Sequence, residues 1–98
     1  MQAQRLVKTR NPIATNAFAD IVVWRVPQPI AGSRHLFKYR LAYVVHGDCV
    51  LRYDNEAGKG DHRHLGNEET AYEFTTPAQL LADFHDDIKR WLNEHADD

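Results

Sequence analysis

Apolar and polar residues alternate through the middle of the chain. From His35 to Val45, HLFKYRLAYVV, residues Phe37, Tyr39, Leu41, Tyr43 and Val45 fall on one side, and Lys38, Arg40 and Ala42 on the other. Period two over this length predicts a strand with one buried face. His46-Gly47-Asp48 is a turn of the kind that closes a hairpin. Cys49 to Asp54 then resumes the strand, with Cys49, Leu51 and Tyr53 inward and Val50, Arg52 and Asp54 outward. Upstream, Phe18 to Val26 is rich in β-branched and aromatic residues and stops at Pro27, so it also reads as a strand. PQPIAGS, residues 27–33, is a connection. Ala71 to Thr75 alternates once more and predicts a strand with Tyr72 and Phe74 inward. Residues 1–16 are polar with short apolar pieces and predict a loose arm or an edge strand.

The period then changes. Thr76-Pro77-Ala78-Gln79 places a capping threonine, a proline at the first helical position and a glutamine two residues on, in a capping-box arrangement. Leu80, Leu81, Phe84, Ile88, Trp91 and Leu92 recur at helical spacing. Asp83, Asp86, Asp87, Arg90 and Glu94 fall on the opposite side, with Asp86 and Arg90 spaced as an ion pair. Strands followed by one helix predict an α+β domain: an antiparallel meander of four to five strands with a C-terminal amphipathic helix on one face.

Ninety-eight residues, with 43% hydrophobic and 27% charged, suit one globular domain over 1–98. No apolar run is long enough to span a bilayer and the N-terminus carries no signal-like segment, so the expected location is cytoplasmic, with no membrane partner. The single cysteine, Cys49, excludes an internal disulfide and reads as a small core residue. Charge sharpens the picture. Residues 1–64 carry ten Lys/Arg against five Asp/Glu, whereas residues 65–98 carry two against nine. The first part suits an anionic ligand and the second a cationic partner. If the two central strands pair, Arg52 joins Lys38 and Arg40 as a row of cations on the exposed face, which is what a phosphate backbone requires.

Candidate chemistry concentrates in NEAGKGDHRHLGNEE, residues 55–69, too long for an ordinary hairpin loop. Either 61–65 is itself a short strand, or the loop is functional. FKYRLAYVVHGDCVLRYDNEAGKGDHRH and FTTPAQLLADFHDDIKRW together resemble the TumE-like family. The likeness is carried by Val23 to Pro27, by Lys38-Tyr39-Arg40, and above all by Tyr53-Asp54-Asn55-Glu56 with Gly58 to His64; it covers roughly residues 17–92. The resemblance implies the toxin component of a prokaryotic toxin–antitoxin pair, whose partner is a helix-turn-helix antitoxin.

For such a toxin the run suggests RNA cleavage without a metal. The 2′-hydroxyl would attack, with His62 and His64 as acid and base and Lys59, Arg63, Arg52, Arg40 and Lys38 binding phosphate. Tyr53, Asp54, Asn55 and Asp61 would support them, and Gly58 and Gly60 would let backbone approach a phosphate. On an extended backbone His62 and His64 point the same way, which does not make an opposed acid–base pair unless His35 or His46 contributes. Two imidazoles with Asp54 or Asp61 would form an open metal site, but no third ligand is fixed near them, so no metal and no cofactor are expected. GKGD lacks the spacing of a triphosphate-binding loop. The alternative is a non-catalytic protein that binds nucleic acid or a partner, with the acidic helix end (Asp86, Asp87, Glu94, Asp97, Asp98) docking a basic antitoxin; a homodimer is also compatible.

Overall fold

In the computed structural model, which describes residues 2–55 and 58–96, the period-two segments become strands in one antiparallel sheet. The strands are β1 (Gln4–Ala14), β2 (Ala17–Arg25), β3 (Phe37–Val45), β4 (Asp48–Asp54), β5 (His62–Leu65) and β6 (Glu68–Ala71), and one helix follows, α1 (Pro77–Glu94). Each strand pairs with its neighbours in sequence, so the sheet is a six-stranded meander in the order β1-β2-β3-β4-β5-β6. The fold is α+β as expected, with more strands than the four to five predicted. Residues 4–14 are a full edge strand rather than a loose arm, and residues 62–65 are a strand rather than a structureless loop.

Turn chemistry explains the tight returns. His46 and Gly47 both take positive φ (50° and 82°), the pair of values a two-residue hairpin turn needs. The helix begins where its cap is: the Thr76 hydroxyl accepts from Gln79 N–H at 3.1 Å, with proline in the first turn.

The core lies between one sheet face and the helix. Ile21, Val23, Tyr39, Leu41, Tyr43, Leu51 and Tyr53 meet Leu80, Phe84 and Ile88 there. Tyr43 stands edge-on to Trp91, and Tyr53 edge-on to Phe84. The helix packs chiefly over β3 and β4, which leaves the other face of the sheet uncovered by it.

Four expectations need correction. Cys49 is exposed, because the β3–β4 register slips between Tyr43 and Val44; the extra residue, Val50, turns toward the core and Cys49 turns out. The strand expected at Ala71–Thr75 is displaced to Glu68–Ala71, paired with His62–Leu65, and Tyr72 N–H adds one bond beyond it to Asp61 C=O at 3.1 Å; Tyr72 and Phe74 still pack against the core. Leu92 is exposed rather than part of the buried stripe. Asp87, expected on the solvent side of the helix, is buried, and Arg90 reaches it at 3.4 Å, one position on from the expected Asp86.

The Pro27–Ser33 connection folds back onto the β4–β5 turn. Gly58 N–H donates to Ala31 C=O at 2.7 Å. A Cβ on Gly60 would sit 2.8 Å from Gly32 O, and one on Gly32 would sit 2.6 Å from Gly60 N. Both have positive φ, so two backbones touch where only glycine fits. No described helix is long and apolar enough to cross a membrane.

Candidate functional site

Strand register assembles the site. Across β4 and β5, Asp54 faces His62 and Arg52 faces His64; across β3 and β4, Arg40 faces Asp54. Their alternation is opposite to that of Leu41, Leu51 and Tyr53, so all five project from the face that the helix does not cover. Lys38 shares that face, beside Trp24. Next to Arg40 a groove of about 410 Å³ is lined by Lys8, Thr9, Arg10, Asp20 and Val22. Arg10 is held there by Asp20 at 2.7 and 2.9 Å, and that bond lowers the Asp20 carboxyl below its ordinary range.

Within the cluster, His62 Nδ1 lies 3.0 Å from Gly60 C=O, and Nε2 lies 2.5 Å from Asp54 Oδ1. Arg52 places Nε 3.1 Å from Asp54 Oδ2 and donates from Nη2 to His64 Nε2 at 2.9 Å. The two imidazoles meet edge to face at 5.0 Å. Glu69 Oε1, on β6, lies 3.7 Å from His62 Nε2 and 3.8 Å from His64 Nε2. His62 and Asp54 are almost wholly covered, at 4% and 3% exposure, whereas His64 is partly open. Despite these approaches, Asp54 Oδ1 and Arg52 Nε have no aligned hydrogen-bond partner among the described residues. His62 Nε2, His64 Nε2 and a carboxylate oxygen of Asp54 all lie within 4.8 Å of one another. Asp54 is thus the third donor that the sequence left unplaced.

The remaining expected residues separate. Lys59 is exposed in the β4–β5 turn. Arg63 points to the helix side, where Nη1 reaches the Tyr53 hydroxyl at 3.3 Å and Asp87 at 3.4 Å. The Tyr53 hydroxyl donates to Asp87, and burial foremost pushes that phenol well above its ordinary range. Asn55 is an internal clamp: its amide donates to Phe37 C=O at 2.7 Å and to Ser33 Oγ at 3.3 Å, and its carbonyl accepts Tyr39 N–H at 3.0 Å. Asp61 accepts from Ser33 Oγ at 2.6 Å, from His35 Nε2 at 2.7 Å and from the Tyr39 hydroxyl at 2.6 Å. Phe37 N–H donates to His35 Nδ1, and the His35 ring stacks on Phe74 at 3.8 Å, so this histidine belongs to the fold. His46 stands in the β3–β4 turn. Glu56, Asp97 and Asp98 lie outside the described residues.

Sequence reasoning missed Glu69, and it assigned Asp87 to antitoxin docking rather than to Tyr53. The turn signal at Gly66-Asn67 could have placed Glu69 opposite His64, two residues either side of the return. The pairing of Asp87 carried no signal, because its partner Tyr53 lies 34 residues away.

No curated protein and no solved structure matches this chain. The family model described as Toxin TumE matches it over residues 3–92, nearly its whole length, and the chain therefore belongs to the TumE family of toxins, those of toxin–antitoxin systems.

Proposed function

We propose that the protein is a toxin that cleaves RNA, with the open sheet face as its site and a helix-turn-helix antitoxin as its partner. The observation that carries this reading is the convergence of Arg52, Asp54, His62 and His64 from two adjacent strands on a face already lined by Lys38 and Arg40. Attack by a ribose 2′-hydroxyl on its own phosphodiester requires cations for the developing charge and groups that move protons. Arg52, Arg40, Lys38 and, from the turn, Lys59 are the phosphate-binding set. Arg63 drops out, because it serves the helix interface.

The two histidines divide their roles. His62 is enclosed and anchored to Gly60 C=O, so it positions Asp54 rather than meeting substrate. His64 is the imidazole that substrate can reach. Because its Nε2 accepts from Arg52, its proton sits on Nδ1, and it meets RNA as a donor. The cluster by itself therefore offers a donor and cations but no evident base.

The exposed acids of α1, Asp86 and Glu94, suit a basic antitoxin surface on the opposite side of the molecule. Asp87 does not contribute, being committed to Tyr53. A homodimer gains no argument from the fold beyond two open sheet edges, β1 and β6.

The test is inducible expression, with and without a neighbouring helix-turn-helix gene, beside incubation of the purified protein with RNA. Growth arrest relieved by the neighbour, RNA cleavage in vitro, and loss of both in His64→Ala and Arg52→Gln are expected. Arrest that survives His64→Ala, with no cleavage by the parent protein, would replace cleavage by non-catalytic binding.

A further inference from the structure

We propose that Asp54, His62 and His64 form a divalent transition-metal site of the Zn²⁺ class, with an open position directed to substrate. The inference rests on the RNA-cleavage reading for its purpose, but not for its existence. It departs from the metal-free course expected from the sequence.

The ring of His62 carries the argument. Its Nδ1 lies 3.0 Å from Gly60 C=O, an acceptor, so Nδ1 bears the hydrogen. That leaves the Nε2 lone pair beside Asp54 Oδ1, 2.5 Å away but not aimed at it. Two electron-rich atoms held that close need a cation between them. A proton would suffice if the imidazole were doubly protonated, but it would then lie along an aligned N–H···O bond, and Asp54 Oδ1 has no aligned donor among the described residues. A metal ion bound by both atoms removes the conflict. The Nδ1–H to backbone carbonyl bond is also the usual outer support of a metal-binding histidine.

The His35–Asp61 pair provides an internal comparison made of the same residue types. There Nδ1 accepts Phe37 N–H, so the hydrogen must sit on Nε2, and it points along a 2.7 Å bond to Asp61. That pair is complete. The His62–Asp54 pair, with the opposite tautomer, is not.

The third donor is His64, whose Nε2 lone pair is engaged only by Arg52 Nη2 at 2.9 Å. Binding an ion would take that lone pair and release Arg52, whose Nε is likewise without an aligned partner, toward a phosphate. Two imidazoles and one carboxylate favour Zn²⁺ or a similar ion over Mg²⁺, and three protein ligands leave a fourth position for water or a phosphate oxygen. A water held there would become acidic enough to supply the missing base. Ligand atoms about 2.0–2.2 Å from the ion lie roughly 3 Å apart, so the Nε2–Oδ1 gap would open slightly on loading. Glu69 adds a second negative charge beside both Nε2 atoms and offsets Arg52.

Chelator-treated, dialysed full-length protein would be titrated with Zn²⁺ by calorimetry and with Co²⁺ by visible absorption. One ion per chain and Co²⁺ ligand-field bands are expected. Asp54→Asn and His64→Gln should each weaken binding by about 100-fold or more. His46→Gln and His85→Gln, in a turn and on the outer helix face, should leave it unchanged. His64 is partly open, so His64→Gln should keep its apo melting temperature and remain informative if Asp54→Asn does not fold. Equal binding by His64→Gln, or absence of Co²⁺ bands in the parent protein, overturns the site. RNA cleavage in EDTA without Co²⁺ bands would sink the metal site and leave the ribonuclease reading standing. One Zn²⁺ bound through these residues without RNA cleavage would do the reverse.

Discussion

At the scale of single residues, hydroxyls held by carboxylates recur through the core. Tyr39 donates to Asp61 at 2.6 Å, Tyr72 to Asp83 at 2.5 Å, and Tyr53 to Asp87. Burial is the first cause that pushes all three phenols well above their ordinary range, and the neighbouring carboxylates add to it; Arg63 opposes the rise at Tyr53. Folded phenols therefore stay protonated where unfolded ones ionise, near pH 10. The sign follows: their contribution to stability is fully present below about pH 10 and is lost as pH rises beyond it. Each tyrosine can add up to about 1.4 kcal/mol of loss per pH unit. Urea unfolding at several pH values between about 9 and 11 should show this decline, and Tyr39→Phe should make it shallower. An identical slope in the two proteins would refute the assignment for Tyr39.

Among elements, β5 is decided by its alternation. His62 and His64 face the open side, and Arg63 between them faces the helix. Arg63→Gln should therefore lower unfolding stability, by about 1–2 kcal/mol for the lost charge-assisted bonds to Asp87 and Tyr53, while RNA binding stays within about twofold. Arg52→Gln should do the opposite, reducing RNA binding with a smaller change in melting temperature. A weaker RNA complex for Arg63→Gln at unchanged stability would mean that the strand faces are assigned the wrong way round. The common side of the two histidines was legible from period two alone. Their meeting with Asp54 and Arg52 was not, because a seven-residue connection, 55–61, leaves the pairing register free by local sequence. The central hairpin and the helix were legible because each carries both a period and its own punctuation, at His46-Gly47 and at Thr76-Pro77. Strand β1 was hidden for a physical reason. Nearly all its residues are exposed, so no buried face imprints a pattern on them. Cys49 was misplaced because a bulge reverses alternation without a marker such as glycine. Asn55, Gly60 and Asp61 sat in a run that looked chemical, yet their work is to fasten the 27–33 connection to the β4–β5 turn.

For the molecule as a whole, the charge split along the chain becomes only in part a split between layers, since Asp20, Asp54 and Glu69 share the open sheet face. The open sheet face carries Lys8, Lys38, Arg40 and Arg52, while α1 carries the exposed acids Asp86 and Glu94. An RNA strand on the sheet and a basic antitoxin on the helix would then occupy opposite sides. Binding of RNA should follow counterion release, with the logarithm of affinity falling linearly with the logarithm of salt by about 0.7 per phosphate neutralised on a single strand. Lys38 and Arg40 lie two residues apart on the open face of β3, both exposed, with Lys38 beside Trp24 and Arg40 opposite Asp54. Lys38→Gln with Arg40→Gln should reduce the salt slope by about 1.4 in total and weaken binding to RNAs of unrelated sequence alike, since phosphate contacts carry no sequence information. Asp86→Asn with Glu94→Gln should leave that slope unchanged and weaken the antitoxin complex instead. Measuring both pairs of variants over a salt series separates the faces: a slope that responds to the helix pair and not to the sheet pair would place RNA on the helix side and remove the sheet face as the site.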